Sequence, residues 1–196
     1  MKFVLASQNP GKLKEMSDIL ERFGVEVVQP SQLGLHVEVE ETGETFAENA
    51  MLKARAVCGA AGLPAIADDS GLCVDALNGG PGVYTARYGG EGMTEAQRYM
   101  LLLNALRGQT NRAAHFVSAI ACVFPNGDTV TAEGRCDGTI AFAPMGTDGF
   151  GYDPVFFVPE LKKTFAQLTA SEKAAISHRG KALESFTKKL ETYLHP

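Results

Sequence analysis

Apolar and polar residues alternate along the first part of the chain in a pattern that predicts a strand followed by a helix. The apolar run at residues 3–6 is typical of a short strand. Beyond it, apolar residues recur at helical spacing, at Leu13, Met16, Leu20 and Phe23. Asn9 is a favourable helix cap and Pro10 suits the first helical position, so we predict that the helix begins there.

Three sequences of the form T-x-x-E or T-x-x-Q predict the starts of further helices, because at this spacing the two side chains cap each other's backbone amides. They are Thr45–Glu48, Thr94–Gln97 and Thr169–Glu172. The first helix is placed at about 46–60, the second ends at Leu106, and the third segment forms one or two helices up to the C-terminus. Gly59 and Gly62 both fit the end of the first of these helices.

The remaining apolar segments predict strands. Residues 63–67 form one candidate, which we expect to end in a polar loop at 68–71. Residues 114–124 form another, and the turn at 125–128 returns the chain as a partner strand at 129–133. A hairpin requires antiparallel pairing, so the sheet is mixed. A last strand, VFFV, follows the glycine-rich loop at 146–153.

These elements predict an α/β (mixed) fold, in which three to four helices flank a long mixed β-sheet within a single domain, residues 1–196. Polar loops at 7–12, 68–71 and 146–153 all follow or precede apolar strands. Loops at strand ends are common places for binding and catalytic residues, so we expect the functional site there.

The composition of the chain argues against some kinds of binding partner. The formal net charge is -5, so the chain lacks the basic surplus typical of proteins that bind nucleic-acid polymers. No apolar run approaches the length of a membrane span, and Lys2 precedes too short an apolar run for a signal peptide. We expect a cytoplasmic protein that binds neither a membrane nor a nucleic-acid polymer. The four cysteines lack metal-ligand spacing and are expected to be mostly buried free thiols.

Charged residues at two of the loops suggest a site for phosphates and a metal. Lys12 follows a loop of small residues at a helix start, where backbone amides and the helix dipole favour an anion. A capped helix with a surface lysine would look the same. If Glu41 and Asp69 converge, their oxygens suit magnesium. The alternative is that the acidic pairs Glu40–Glu41 and Asp68–Asp69 lie in solvated turns.

Further candidate residues lie in the second half of the chain. Lys173 would point away from His178 and Arg179 on one continuous helix, but a break near residues 177–180 would let all three face one pocket. Phe150 and Tyr152 offer aromatic rings for stacking on a nucleobase, although aromatic residues beside glycines are also common in core turns. We include Arg87 as a candidate phosphate contact, with a plain surface charge as the alternative.

Six sequence blocks follow one another in a fixed order along most of the chain. They are SQNPGKLKE, EETGETFAENAMLKA, PAIADDSGLCVDAL, GVYTARY, GFGYDPVFF and EKAAISHRGKA. In order and spacing these blocks closely resemble the inosine triphosphate pyrophosphatase family, the dITP/XTP pyrophosphatases. The resemblance extends from residue 3 to about residue 185.

The resemblance implies magnesium-dependent hydrolysis of ITP, dITP and XTP to the monophosphate and pyrophosphate, by a homodimer with an elongated α/β fold. Such an activity keeps nonstandard purines out of DNA and RNA. The resemblance further implies that Asp69 is the general base and that Glu41 and Asp69 hold Mg²⁺, with Asp68 close by. The substrate-binding residues that it implies are Ser7, Gln8, Asn9, Pro10, Gly11, Lys12, Ser70, Phe150, Gly151, Tyr152, Asp153, Lys173, His178 and Arg179.

Three other functions fit parts of the pattern. A phosphatase could use Asp68 as its nucleophile, although such sites need a second aspartate two residues later, where Ser70 stands. A nucleotide sensor would have the same pocket without turnover, but it gains little from a positioned base. A related fold that acts on modified pyrimidine nucleotides is the third alternative, and the SHR and FGYDP segments favour purines over it.

Overall fold

The computed structural model describes residues 1–7 and 10–195, which form seven strands and five α-helices. The strands are β1 (Lys2–Leu5), β2 (Glu26–Val28), β3 (Ala65–Val74), β4 (Ala113–Val123), β5 (Thr129–Ile140), β6 (Phe156–Val158) and β7 (Lys163–Thr164). The helices are α1 (Pro10–Leu20), α2 (Phe46–Ala61), α3 (Glu95–Ala105), α4 (Ala170–Ile176) and α5 (His178–Leu194).

The strands form one mixed sheet in the order β2-β1-β3-β4-β5-β6-β7. β1 runs parallel to both of its neighbours, with Val4 opposite Val28 in β2 and opposite Ala65 in β3. β6 runs antiparallel to both of its neighbours, and Phe157 lies opposite Thr139 in β5 and Thr164 in β7. The α/β (mixed) prediction is therefore confirmed.

β3 differs from its prediction, because the expected polar loop at 68–71 is part of the strand. Residues on both sides of this polar segment, Ala67 and Leu72, are fully buried. The polar side chains interrupt the hydrophobic pattern, but β3 lies between β1 and β4 and its backbone stays extended. The carboxylates Asp68 and Asp69 thus lie in the middle of a sheet strand and not in a turn.

The predicted helix starts are confirmed by their caps. Thr45, Thr94 and Thr169 each accept a hydrogen bond from the backbone N–H three residues later, at 3.1 to 3.2 Å. Gly62, with a φ of 63°, ends α2, whereas Gly59 lies inside that helix. Ser177 has an extended ψ of 156°, so it separates α4 from α5 at the place where a break was expected.

The chain divides into two compact units, each with its own core. Unit 1 comprises Met1–Asp69, Ser118–Glu133 and Ala182–Pro196, and its core includes Phe3, Leu20, Ile66, Ile120 and Phe186. Unit 2 comprises Ser70–Val117 and Gly134–Lys181, and its core includes Leu72, Leu102, Phe116, Phe156 and Phe165. The single-domain assignment remains a prediction. Across the described part of the chain, no helix is both long and apolar enough to cross a bilayer.

Candidate active site

Lys53 brings two carboxylates together in unit 1. Its ammonium lies 2.9 Å from Glu41 Oε1 and 2.8 Å from Asp69 Oδ1. It also donates to the backbone oxygen of Asp68 at 3.1 Å. Lys53 projects from α2, Asp69 lies in β3, and Glu41 belongs to the segment before α2. The convergence of Glu41 and Asp69 that the sequence left open therefore exists, around a single cation.

This arrangement changes the acidity of both partners. Burial raises the pKa of Asp69 above its ordinary value, and the attraction of Lys53 offsets only part of that rise. Burial lowers the pKa of Lys53, but the attraction of Asp69 and Glu41 outweighs it, so the lysine pKa is raised overall. A carboxylate with a raised pKa, held beside a charged ammonium, has the properties of a proton acceptor.

A second ion pair in unit 1 joins Lys12 to Asp68. The Lys12 ammonium, in the first turn of α1, donates to Asp68 Oδ1, and the Asp68 side chain is only 5% exposed. The loop before α1 is described at Ser7, whose backbone oxygen accepts from Gln29 Nε2 at 3.0 Å. Among the other predicted phosphate ligands, Gln8 and Asn9 lie outside the described residues, and Pro10 and Gly11 begin α1.

Phe150 is the centre of a second group of predicted residues, in unit 2. Its ring is half exposed, and Lys173 Nζ lies 4.7 Å from the ring centroid. Arg179 Cζ lies 5.8 Å from the same centroid, and Arg179 Nη2 donates to Ser70 Oγ at 3.4 Å. Because the break at Ser177 separates α4 from α5, Lys173 and Arg179 face one aromatic ring, as the sequence suggested.

Asp153 and Tyr152 support the loop that carries Phe150. Asp153 is buried, accepts the Phe150 N–H at 2.9 Å and pairs with the Lys173 ammonium. Burial raises the pKa of Asp153, and Lys173 offsets part of that rise. Tyr152 is also buried and donates its hydroxyl to the backbone oxygen of Thr85 at 3.0 Å. Gly151, with a φ of 61°, provides the turn between Phe150 and Tyr152. The structure thus presents Phe150, and not Tyr152, as an accessible ring.

The two remaining candidates in unit 2 have aromatic neighbours. The His178 ring stacks on Phe116 with centroids 4.7 Å apart and planes 13° apart, and it is largely buried. Arg87 is exposed, and its guanidinium lies 5.2 Å from the centroid of the exposed Tyr84 ring. Its role as a phosphate contact remains a prediction.

Two polar residues of α2 were missed by the sequence analysis, Lys53 and Asn49. Asn49 is fully buried, and Lys53 is half-buried. Both lie beside the apolar face that Phe46, Ala50 and Ala54 define. A polar side chain at such a position is seldom buried without a partner. Both residues could therefore have been recognised from their places in the helical pattern.

Comparisons with known proteins agree with these observations. Residues 3–189 match the model of the Ham1 family. A dITP/XTP pyrophosphatase of Exiguobacterium sp. is 47% identical over 196 residues, covering 100% of this chain and 98% of that protein. A dITP/XTP pyrophosphatase of Haemophilus influenzae is 51% identical over 193 residues, covering 96% and 98%.

Solved structures show the same similarity. The Ham1 protein of Staphylococcus aureus superposes with a TM-score of 0.94 at 44% identity, covering 98% of this chain and 100% of that one. A nucleoside-triphosphatase, or dITP/XTP pyrophosphatase, of Mycobacterium abscessus superposes with a TM-score of 0.82 at 48% identity, covering 94% and 96%.

Proposed function

Because this chain belongs to the Ham1 family, we propose that it is a dITP/XTP pyrophosphatase, which hydrolyses dITP, XTP and also ITP to the monophosphate and pyrophosphate. Such an activity would remove nonstandard purines from the nucleotide pool. The observation that carries the proposal is the meeting of Glu41 and Asp69 at the Lys53 ammonium. Together these two carboxylates would supply a base and two hard oxygen ligands at one point of the structure.

Glu41 and Asp69 offer the hard oxygen donors that a magnesium ion prefers, and the Lys53 ammonium between them would have to move aside as the ion binds. Both direct an oxygen to within 3 Å of the same cationic nitrogen, so the geometry already favours a positive charge at this point. The described residues include no cluster of three or more carboxylate, thiol or imidazole groups placed to hold a metal. The proposal therefore relies on Mg²⁺ taking its other ligands from water and substrate phosphates, as this ion usually does. When bound, Mg²⁺ would neutralise phosphate charge and polarise the bond that breaks.

The charged residues of unit 1 would perform the phosphate chemistry. Asp69, with its raised pKa, would orient a water molecule and accept its proton as the water attacks the α-phosphorus in line with the leaving pyrophosphate. Lys53 would stabilise the charge that develops on the phosphate oxygens. Lys12 would bind a phosphate group of the substrate, because its ammonium already pairs with an anion, the Asp68 carboxylate, and has three N–H donors.

The residues around Phe150 would recognise the purine. The half-exposed ring offers a stacking surface, and the nearby Arg179 guanidinium is a hydrogen-bond donor. Hypoxanthine and xanthine present an acceptor at the purine 6-position, whereas adenine presents an amino group there. Adenine would leave buried donors unpaired, which costs about 1–3 kcal/mol, or roughly 5- to 150-fold in discrimination for each contact.

A homodimer in the cytoplasm is a further part of the proposal. The family resemblance supports the dimer, and four free thiols suit a reducing compartment. With a net charge of -5 the chain lacks the basic surplus that attracts nucleic-acid polymers and anionic membranes, so an anionic nucleotide would bind at a local cluster of positive charge. Sedimentation equilibrium at micromolar concentration should give twice the mass of one chain, and a monomer would contradict the dimer.

A product assay tests the proposed activity. Purified protein would be incubated with Mg²⁺ and one of dITP, XTP, ITP, GTP, ATP or dTTP, and pyrophosphate and orthophosphate would be measured separately. We expect pyrophosphate from the first three nucleotides, little from the others, and none after the metal is removed with EDTA. Orthophosphate as the product would favour the phosphatase, and tight binding without turnover would favour the sensor. Preferential turnover of modified pyrimidine nucleotides would favour the third alternative.

A further inference from the structure

The backbone immediately before α2 is held by side chains of that helix. Three consecutive amides donate to them: Gly43 N to Asn49 Oδ1 at 2.8 Å, and Glu44 N and Thr45 N to Glu48 Oε2 at 2.7 and 3.1 Å. Glu48 forms the capping box with Thr45, so the start of the helix is already capped without Asn49. The hydrogen bond from Gly43 N to Asn49 Oδ1 is therefore not needed to cap the helix.

Asn49 is an unusual choice for its position. It is fully buried inside a helix, where asparagine is a poor helix former, and its Nδ2 group has no hydrogen-bond partner. Burying an unpaired amino group is unfavourable. The contact that the side chain makes through Oδ1 must offset this cost, and that contact is the hydrogen bond from Gly43.

The same contact requires a residue without a side chain at position 43. A β-carbon at this position would lie 2.7 Å from Asn49 Oδ1 and 2.7 Å from Glu48 Cβ. Such distances are too short for any side chain, so the backbone can approach the helix only with glycine at residue 43. The pairing of Gly43 with Asn49 is thus specific from both sides.

Glu41 lies two residues before Gly43, and the same helix holds its side chain. Lys53, one turn after Asn49, contacts Glu41 Oε1 at 2.9 Å and Asp69 Oδ1 at 2.8 Å. The segment 41–43 is therefore fixed at two points, at the Glu41 carboxylate by Lys53 and at the Gly43 amide by Asn49. Thr42 lies between them, and its N–H donates to Glu40 O at 3.1 Å, which tightens the segment further.

From these contacts we propose that Asn49 is a positioning residue for the divalent-cation site. By holding the Gly43 amide, it fixes the backbone that carries Glu41, so that the Glu41 carboxylate meets Asp69 at one cation. Asn49 touches neither the metal nor the substrate. The proposal rests on the proposed function, because it assumes that Glu41 and Asp69 bind Mg²⁺.

Calorimetric titration of the metal-free protein with Mg²⁺, without nucleotide, tests this role. Asn49→Ala should weaken Mg²⁺ binding by about 10-fold or more, as is common for residues that orient a metal ligand. It should also speed hydrogen exchange at the Gly43 amide.

Glu48→Ala is the matched control. It removes two hydrogen bonds from the same segment but leaves the bond between Gly43 and Asn49. It should lower thermal stability, yet change Mg²⁺ affinity by less than about 3-fold. Equal weakening of Mg²⁺ binding by Asn49→Ala and Glu48→Ala would overturn the proposal, because both would then act through general loosening of the segment.

Three further outcomes are decisive, and a second variant covers a failure of Asn49→Ala to fold. If Asn49→Ala binds Mg²⁺ like the wild type, Asn49 has no positioning role. If Asn49→Ala does not fold, Gly43→Ala breaks the same contact from the other side, and it should weaken Mg²⁺ binding to a similar extent. Wild-type protein that hydrolyses dITP at an undiminished rate after every divalent cation is removed with EDTA would overturn the positioning role but not the pyrophosphatase activity. Wild-type protein that binds Mg²⁺ but does not hydrolyse dITP would overturn only the proposed function.

Discussion

At the scale of single residues, the site in unit 1 consists of charges that neutralise one another. Lys53 is shared by Glu41 and Asp69, and Lys12 pairs with Asp68. Buried charges are stable only when they are paired, so each lysine holds a carboxylate in a defined place. In the proposed function, phosphate groups would replace carboxylates as partners of the lysines, and a metal ion would replace a lysine as partner of the carboxylates.

Replacing Asp69 tests the base. Asp69→Asn preserves the size of the side chain and leaves Lys53 paired with Glu41 at 2.9 Å, so the protein should fold. Pyrophosphate release from dITP should fall by about 10²- to 10⁴-fold, because the proton acceptor is lost. The exposed Asp18 of α1 provides the control, and Asp18→Asn should retain full activity. Near-normal turnover by Asp69→Asn would remove this residue from its role.

Variants of Lys12 distinguish its contribution to substrate binding from its contribution to the stability of the fold. Lys12→Met removes the ammonium that pairs with the buried Asp68, so it should raise the KM for dITP and lower the free energy of unfolding by about 1–3 kcal/mol. The double variant Lys12→Met with Asp68→Asn removes both charges and should recover much of the stability without recovering the KM. Urea titration and steady-state kinetics measure the two effects. An unchanged KM in both variants would show that Lys12 does not contact the phosphates.

At the scale of secondary-structure elements, the junction between α4 and α5 places the cationic side chains near Phe150. Ser177 ends α4, and its Oγ accepts the Gly180 N–H at 3.1 Å. A β-carbon at Gly180 would lie 1.8 Å from the backbone oxygen of Ala174, so the two helices approach closely only because residue 180 is glycine. The junction sets the direction in which Arg179 points.

Two glycine variants test this junction. Gly180→Ala should force the helices apart, lower the melting temperature and raise the KM for dITP, because Arg179 would move relative to Phe150. Gly59→Ala is the matched change: Gly59 lies inside α2, and a β-carbon there would meet no atom within 4 Å. It should stabilise the protein by about 0.5–1 kcal/mol without altering KM. Thermal denaturation and kinetics of both proteins provide the comparison, and a normal KM for Gly180→Ala would contradict the role of the junction.

At the scale of the whole molecule, the reactivity of the thiols tests how closely both cores are packed. Cys58 and Cys122 are buried in unit 1, and Cys136 is buried in unit 2, whereas Cys73 is only half-buried. Burial raises the pKa of all four thiols. Since the thiolate is the reactive form, low solvent exposure and a raised pKa both slow the reaction of a thiol with a reagent.

Thiol titration of the native protein should therefore detect at most one reactive group. With an aromatic disulfide reagent at neutral pH, Cys73 should react slowly, and all four cysteines should react only in denaturant. The variant Cys73→Ser should abolish the native reaction. Rapid reaction of two or more thiols in the folded protein would show that at least one of the cores is less closed than the structure indicates.

Features that depend on near neighbours along the chain could be predicted from the sequence. The capping boxes at Thr45, Thr94 and Thr169 join residues three apart, and the hairpin turn at 125–128 joins adjacent strands. The capping boxes and the turn are stabilised by contacts within one or two turns of chain, so the local pattern is enough to predict them. The sequence left open whether one helix or two end the chain, and the structure places the break at Ser177.

Which charges distant in sequence form pairs depends on the tertiary structure. Lys12 and Asp68 are 56 residues apart, and Lys53 and Asp69 are 16 apart, so no local pattern fixes their pairing. The same holds for β3, which continues through the polar segment 68–71 because its backbone is held between β1 and β4. Short spacings between interacting residues can be recognised along the chain. The partner of a buried charge depends instead on which helices and strands pack together, and the packing of the two cores sets that.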